Sequence, residues 1–234
     1  MSERATTLAD LPAPGAILFD LDGTLVDTVG RRIEGWLAAF AELGIDADAA
    51  RIGGLVGADG KRLAREVAAA AGATFSEDEI ARIDRRAGEL FSKLNVDPRP
   101  LPGARALLMA LLESAFPFVI ATSSLGAQVT ASIEALDLPD RPVIVDGEHV
   151  EHAKPEPDLL LLAAGRVDVA ARDCWYVGDA VWDVLAAKAA GMIGLALPTG
   201  SVSSGQLLTA GAVVVVDELD QLRVELGRRG LLAT

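Results

Sequence analysis

Residues 16–27 read Ala-Ile-Leu-Phe-Asp-Leu-Asp-Gly-Thr-Leu-Val-Asp, a short apolar run that ends abruptly in two aspartates. Four consecutive apolar residues are typical of a strand that is covered on both faces of a parallel sheet. In such sheets, ligands bind beyond the carboxyl ends of the strands, and Asp20 and Asp22 follow directly at that end. The stretch therefore predicts a parallel-sheet core with an acidic ligand site at one edge.

Outward from this stretch, apolar runs alternate with helical patterns through most of the 234 residues. Further strands are predicted at 116–121, 142–145, 174–177, 193–197 and 212–216. Helices are predicted at about 103–115, 126–137, 157–166, 180–190, 203–210 and 217–228. This alternation predicts an α/β fold with a doubly wound (Rossmann-like) parallel sheet.

One segment, from about residue 28 to 95, interrupts this alternation and contains no convincing strand. It has helix-like stretches near 28–43, 60–71 and 76–94, followed by a proline-rich return to the core. We therefore predict a helical domain at 28–95, inserted into a discontinuous α/β core formed by residues 1–27 and 96–234. Residues 53–62, which are rich in glycine and end in Lys61 and Arg62, are expected to form a loop before a helix.

Composition and charge restrict the class of protein. The net charge of −13 would repel a nucleic acid, and no apolar run reaches the roughly 18 residues that span a bilayer. The single cysteine, Cys174, cannot form an internal disulfide, as expected in a reducing compartment. We expect a soluble cytoplasmic protein that binds neither nucleic acid nor membrane; the sequence leaves the oligomeric state open.

A second acidic pair follows another predicted strand. Residues 174–177 lead into Gly178 and Asp179, and Asp183 comes four residues later, on the same face of a predicted helix. With Asp20 and Asp22, these aspartates would place several carboxylates at one edge of the sheet. An oxygen-rich site of this kind suits Mg²⁺, although Asp179 could also serve as a helix N-cap.

Two further strand ends carry groups that could bind an anion. Residues 118–121 lead into Thr122, Ser123 and Ser124, whose hydroxyl and N–H groups lie just ahead of a predicted helix. Lys154 follows the next predicted strand and precedes a turn stiffened by Pro155. Taken singly, a turn of hydroxyl residues ahead of a helix is also common as a helix cap, and a lone lysine is usually a solvated charge.

Taken together and in chain order, these motifs resemble those of the haloacid dehalogenase-like superfamily. The resemblance rests on residues 20–27, Thr122, the stretch 154–158 and the stretch 178–183, in which Asp179 and Asp183 stand. The helical insertion looks like the small cap of that family, and residues 178–192 resemble phosphoglycolate phosphatase-like members. One departure is Ala153, which stands where the family usually has glycine before the motif lysine.

The resemblance implies a phosphatase mechanism and a set of site residues. Asp20 would be the nucleophile that forms an aspartyl phosphate, and Asp22 the general acid and base, with its ordinary pKa of about 3.9 tuned by its surroundings. Mg²⁺ would be held by Asp20, the backbone carbonyl of Asp22 and Asp179, with Asp183 either a direct ligand or a residue that holds the ligands in place. Catalytic roles also fall to Thr122 and Lys154, which would bind phosphoryl oxygens. The candidate substrate-binding residues are Gly23, Thr24, Ser123, Ser124, Arg32, Lys61 and Arg62.

Other functions are known within this family, and one alternative comes from another class of protein. Asp22 argues against dehalogenases, since these lack an acid at its position. A β-phosphoglucomutase-like phosphomutase is the alternative, but mutases carry a histidine early in the first cap helix, where this chain has Arg31 and Arg32. A non-catalytic phosphate-binding regulatory module is the alternative from another class. The expected partner is a small phosphorylated molecule, either phosphoglycolate-like or a sugar phosphate.

Overall fold

A six-stranded parallel sheet forms the centre of the protein in the computed structural model, which describes residues 6–233. Helices cover both faces of the sheet, so the predicted α/β doubly wound fold is confirmed. Residues 1–5 of the predicted core segment 1–27, and residue 234 of the segment 96–234, lie outside the described range.

The elements follow one another in nearly the predicted order. The strands are β1 (Ala16–Phe19), β2 (Val26–Asp27), β3 (Arg99–Pro100), β4 (Phe118–Ala121), β5 (Ile144–Val145), β6 (Cys174–Gly178), β7 (Ile193–Ala196) and β8 (Val214–Val215). The α-helices are α1 (Val29–Ala41), α2 (Ala49–Leu55), α3 (Gly60–Ala70), α4 (Glu77–Leu94), α5 (Ala104–Glu113), α6 (Gly126–Ala135), α7 (Asp158–Arg166), α8 (Val181–Ala190), α9 (Ser204–Ala210) and α10 (Leu219–Arg228). The sheet has the order β5-β4-β1-β6-β7-β8.

The register of β1 against its neighbours positions the residues that follow it. Alternate side chains of β1 enter different cores: Phe19 packs in one cluster, and Leu18 packs in the other. Phe19 is the register partner of Val177 in β6, and the N–H of Asp20 donates to the carbonyl oxygen of Val177 at 2.9 Å. This pairing brings Asp20 beside the end of β6, where Asp179 follows.

Helices α1–α4, referred to below as the helical layer, pack around a hydrophobic cluster of their own. Its fully buried members include Phe40, Ile52 and Ala64. The chain enters and leaves this layer through the antiparallel pair of β2 and β3. None of the helices in residues 6–233 combines the length and the apolar character that a bilayer crossing requires.

The prediction of a glycine-rich loop at 53–62 was wrong for residues 53–55, which belong to α2. The side chain of Asp48 accepts hydrogen bonds from the N–H groups of Ala50 and Arg51 and so caps α2, a helix that the sequence analysis did not predict. Gly53 lies inside α2, where a β-carbon would come within 3.0 Å of Ser201. This glycine therefore permits close packing of α2 against the core, and the connection itself is only residues 56–59.

Four predicted strands are shorter than expected, and those at 193–197 and 212–216 are reduced to Ile193–Ala196 and Val214–Val215. The strand predicted at 116–121 begins at Phe118 because the N–H of Phe116 still bonds to the carbonyl of Leu111, and Ala115 takes a positive φ of 49° to end α5. The strand predicted at 142–145 is reduced to Ile144 and Val145 at the edge of the sheet. Pro142, which has no N–H to donate, precedes it.

Candidate active site

The carboxyl ends of three neighbouring strands converge on a cavity of about 450 Å³ beneath the helical layer. Asp20 follows β1, Thr122 follows β4 and Asp179 follows β6. The predicted site residues that line the cavity are Asp20, Asp22, Arg32, Lys61, Thr122, Ser123, Ser124, Lys154 and Asp179. The predicted site residues Gly23, Thr24, Arg62 and Asp183 are not in its lining.

Lys154 occupies the centre of the carboxylate group. Its side chain is completely buried, and its Nζ donates to Oδ1 of Asp20 at 2.6 Å and to Oδ1 of Asp183 at 2.7 Å. A third bond, at 3.2 Å, goes to the hydroxyl of Tyr176. Burial lowers the pKa of Lys154, but the charges of Asp183 and Asp20 raise it by more, so it lies well above its ordinary value. Lys154 is therefore a fixed positive charge.

One buried ammonium group does not offset three buried carboxylates. Burial raises the pKa of Asp20 from 3.8 to about 7, with Lys154 lowering it and Asp183 raising it. Burial also raises the pKa of Asp179 well above its ordinary value, and Asp183 and Asp20 add to this effect. Both shifts mean that the ionised carboxylates need more positive charge than Lys154 supplies.

Asp20, Asp179 and Asp183 fit a divalent cation. Each offers a carboxylate oxygen, and these oxygens all lie within 4.8 Å of one another. Hard oxygen ligands of this kind suit Mg²⁺, and a cation among them would supply the missing charge. Asp22 was predicted to contribute its backbone carbonyl, and this contribution stays a prediction.

Asp183 is held in place through both of its oxygens. Oδ2 accepts from the N–H groups of Asp179 and Ala180 at 3.2 and 3.0 Å, as a residue in the first turn of α8 can do. Oδ1 accepts from Lys154 and, at 2.9 Å, from the hydroxyl of Tyr176. Asp183 therefore ties the start of α8 to the buried lysine.

Gly23 and Thr24 support Asp179. Gly23 has a positive φ of 84°, and a β-carbon there would lie 2.4 Å from Oδ2 of Asp179. The hydroxyl of Thr24 donates to Oδ1 of Asp179 at 3.1 Å. Their predicted contact with substrate stays a prediction, whereas their contact with this carboxylate is a feature of the structure.

Asp22 lies apart from the three carboxylates and is surrounded by donors. Arg32 binds its Oδ2 at 2.7 Å, Ser124 binds the same oxygen at 2.5 Å, and Thr28 binds Oδ1 at 2.6 Å. Burial raises the pKa of Asp22, but Arg32 and the bonds from Ser124 and Thr28 lower it by more. In this arrangement Asp22 is an anion.

Arg32 connects the helical layer to the sheet edge. It extends from α1 to Asp22, donates to Oε1 of Gln128 at 2.6 Å and also binds the hydroxyl of Ser124. Its guanidinium lies 3.6 Å from the centre of the Phe91 ring, a cation–π contact. Arg32 was predicted to bind substrate, and the structure places it against the predicted general acid.

The turn after β4 presents its hydroxyls to the cavity. Thr122 is buried, and its Oγ1 accepts from the N–H of Ser124 at 3.2 Å, which leaves the hydroxyl hydrogen free for another partner. Ser123 donates to the carbonyl of Gly57 in the helical layer at 3.4 Å. Thr122 therefore has the geometry of a donor to an oxygen in the cavity.

The two cations predicted at the start of α3 have different surroundings. Lys61 is exposed and lines the cavity. Arg62 bonds to Glu66 at 2.7 Å and lies 4.4 Å from the ring centre of Trp182. Arg62 thus contacts Trp182, which also donates to the carbonyl of Gly54 at 3.1 Å.

Several polar residues near the site were not predicted from the sequence, among them Thr28, which binds Asp22 at 2.6 Å. Tyr176 contacts Lys154 and Asp183, Gln128 contacts Arg32, and Asp84 lines the cavity. A tyrosine inside an otherwise apolar strand is a signal that could have pointed to Tyr176. The positions of Gln128 and Asp84 depend on how the helical layer packs on the core, which no local pattern encodes.

The chain matches known proteins over most of its length. A sequence model of haloacid dehalogenase-like hydrolases matches residues 14–191. A phosphoglycolate phosphatase of Cupriavidus necator is 30% identical over 88% of this chain and 90% of its own, and a β-phosphoglucomutase of Bacillus subtilis is 30% identical over 90% of this chain and 92% of its own. The crystal structure of a hydrolase from Pseudomonas syringae, 30% identical, superimposes with a TM-score of 0.85 over 91% of this chain and 98% of that one.

Replacing Asp20 by asparagine is expected to make the stability of the metal-free protein less dependent on pH. The pKa of Asp20 is about 7 in the folded state and 3.8 ordinarily, so the folded state binds this proton more tightly. The stability that the proton contributes is present below about pH 4 and is lost as the pH rises through about 7. In EDTA, the urea midpoint should fall between about pH 5 and about pH 8 by more in the wild type than in Asp20→Asn.

Asp46→Asn is the matched control for this measurement, because Asp46 is exposed on the helical layer. Its urea midpoint should follow that of the wild type at both pH values. An equal decrease in the wild type and in Asp20→Asn would contradict the shifted pKa.

Proposed function

The chain belongs to the haloacid dehalogenase-like hydrolase family and is a phosphatase, and from this premise we propose that it hydrolyses a small phosphomonoester through an aspartyl phosphate at Asp20 with Mg²⁺ as cofactor. One observation supports this proposal most. Lys154 binds Oδ1 of Asp20 at 2.6 Å, and no hydrogen bond from residues 6–233 engages the other oxygen, Oδ2. An oriented carboxylate with one free oxygen beside a cavity is suited to nucleophilic attack.

In the proposed first step, a carboxylate oxygen of Asp20 attacks phosphorus and the bond from phosphorus to the leaving oxygen breaks. Asp22 gives its proton to that oxygen, so that the product leaves as a neutral alcohol. In the second step, water attacks the phosphorus of the acyl phosphate while Asp22 accepts a proton from it. Inorganic phosphate leaves, and the carboxylate of Asp20 is restored.

The phosphoryl oxygens would be bound at the turn after β4. The free hydroxyl hydrogen of Thr122 can donate to them, as can the hydroxyl of Ser123 once it leaves the carbonyl of Gly57, and the start of α6 lies just beyond. Lys154 would contribute its charge while its hydrogens hold Asp20 and Asp183. These groups would keep the phosphoryl group in line with Asp20.

Asp20, Asp179 and Asp183 would hold Mg²⁺, with the backbone carbonyl of Asp22 as the further predicted ligand. When bound, the ion supplies positive charge that offsets the charge on the phosphoryl oxygens. The raised pKa values of Asp20 and Asp179 support this assignment, because burial and mutual repulsion disfavour the ionised carboxylates without a cation.

The surroundings of Asp22 support hydrolysis over phosphomutase chemistry. Arg32, rather than the histidine of mutases, lies against Asp22, and it holds the carboxylate ionised. An ionised Asp22 is ready to accept a proton from water in the second step. To act as the acid in the first step it must exchange the bond to Arg32 for a proton, so we propose that Arg32 moves with the helical layer, which would act as the cap.

Loss of the proposed nucleophile or metal should abolish activity. With p-nitrophenyl phosphate and Mg²⁺, we expect release of p-nitrophenol together with an equal amount of inorganic phosphate. Asp20→Asn should lower kcat by at least about a thousandfold, since the covalent route is lost. EDTA should abolish the wild-type rate, and added Mg²⁺ should restore it. The rate is measured by absorbance, with phosphate determined in parallel.

Asp46→Asn is the control for this substitution, because Asp46 is exposed and lies outside the cavity. It should keep the wild-type rate. Full activity in the Asp20→Asn protein, or in EDTA, would contradict the proposed mechanism; transfer of phosphate to a second hydroxyl, without release, would favour the mutase.

Removing the guanidinium of Arg32 should lower kcat. In Arg32→Met, Asp22 loses a charged hydrogen-bond partner, and such bonds are worth roughly 1.5–3 kcal/mol, or about ten- to a hundredfold in rate. Arg31→Met is the matched control, since Arg31 is half exposed and pairs only with Glu34 among residues 6–233. Equal kcat values for the two variants would show that Arg32 does not position Asp22.

A further inference from the structure

Asp84 is an unpaired carboxylate in the part of the cavity that the helical layer encloses. It lies on α4 and lines the cavity with Gly60 and Lys61. Its Oδ1 is so close to Gly60 that a β-carbon there would come within 2.0 Å of it. Among residues 6–233, no hydrogen bond and no ion pair engages this carboxylate.

Several other acids of the helical layer are paired with cations. Ion pairs join Glu42 to Arg86, Glu66 to Arg62 and Glu77 to Arg65, at 2.6, 2.7 and 2.9 Å. Asp59, which also lines the cavity, accepts a hydrogen bond from the N–H of Arg62 at 2.8 Å. Asp84 differs from them because its oxygens are left for a group that enters the cavity.

The charges around Asp84 restrict the chemistry of a group that could enter the cavity and bind it. Burial raises the pKa of Asp84 to about 6, and the nearby charge of Asp59 adds to this effect, while Lys61 and Arg32 lower it in part. At neutral pH Asp84 is therefore mostly an anion that faces a second acid. Lys61 and Arg85 line the same cavity, so cations are present as well.

We propose, on the basis of the phosphatase function proposed above, that Asp84 is a specificity-determining residue that selects leaving groups with neutral hydroxyls and rejects carboxylates. A hydroxyl both donates and accepts, so it can donate to Asp84 and accept from Lys61 or Arg85. A carboxylate would be repelled by Asp84 and Asp59 even where it approaches Lys61 or Arg85, and an ammonium group would be repelled by those two cations. Phosphorylated polyols or sugars, rather than phosphoglycolate, are then the substrate class.

Two matched pairs of phosphate esters, one with a short and one with a longer carbon chain in the leaving group, test this selection. Glycerol 3-phosphate is paired with 3-phosphoglycerate, and sorbitol 6-phosphate with 6-phosphogluconate; within each pair only a terminal CH₂OH is replaced by a carboxylate. In the wild type, kcat/KM should favour the hydroxyl member of at least one pair by about tenfold or more. Asp84→Asn, which removes the charge and keeps the size, should reduce that ratio by about tenfold, mainly through a lower KM for the carboxylate.

Asp78→Asn is the matched control, because Asp78 lies on the same helix but is exposed and outside the cavity. Its ratio should equal that of the wild type. Preference of the wild type for the carboxylate members would overturn the proposal, as would an equal ratio in Asp84→Asn and the wild type. Glucosamine 6-phosphate is compared with glucose 6-phosphate, and a preference for the amine would overturn the neutral-hydroxyl assignment.

Measuring binding without turnover distinguishes a failure of the proposed role of Asp84 from a failure of the phosphatase function. Calorimetric titration of Asp20→Asn, and of Asp20→Asn/Asp84→Asn, with the same four esters requires no turnover. The hydroxyl member should bind more tightly to the first protein, and the preference should shrink in the second. Absent turnover with this binding pattern would refute the phosphatase function alone, whereas turnover without any preference in either assay would refute the role of Asp84 alone.

Discussion

The buried ammonium group of Lys154 is the interaction on which the site depends. Its bonds bring Asp20, at the end of β1, and Asp183, in the first turn of α8, into one group, although burial raises the pKa of Asp20. Removing that charge would leave uncompensated buried acids, which is strongly destabilising in proteins. The raised pKa of Asp179 indicates that the group still lacks positive charge, and its three carboxylates fit a divalent cation.

The helical layer closes over this group and completes the cavity. Its hydrogen bonds with the core include Arg32 with Asp22, the N–H of Asp59 with the carbonyl of Lys154, Ser123 with the carbonyl of Gly57, and Trp182 with the carbonyl of Gly54. Several of these bonds engage residues of the site itself. A substrate that displaces Arg32 would therefore alter both the protonation of Asp22 and the position of the layer.

Much of the core could be predicted because strand ends are a local property of the sequence. Asp20 and Asp179 follow apolar runs directly, and the parallel register then brings them together. Helix α2 was missed because its glycines resemble those of a loop, whereas Gly53 serves close packing. The contact of Arg32 with Asp22 and the unpaired state of Asp84 arise only when the layer packs on the sheet, and spacing alone does not encode them.

Trapping the covalent intermediate tests the central claim most directly. The Mg²⁺-loaded enzyme is mixed with substrate, quenched in acid during the first turnover and treated with borohydride, which reduces an acyl phosphate to an alcohol. Peptide mass spectrometry then locates the modified residue. We expect homoserine in place of aspartate at Asp20 and unmodified aspartate at Asp22. Phosphate release with Asp20 unmodified, or modification at Ser123 or Ser124 instead, would contradict it.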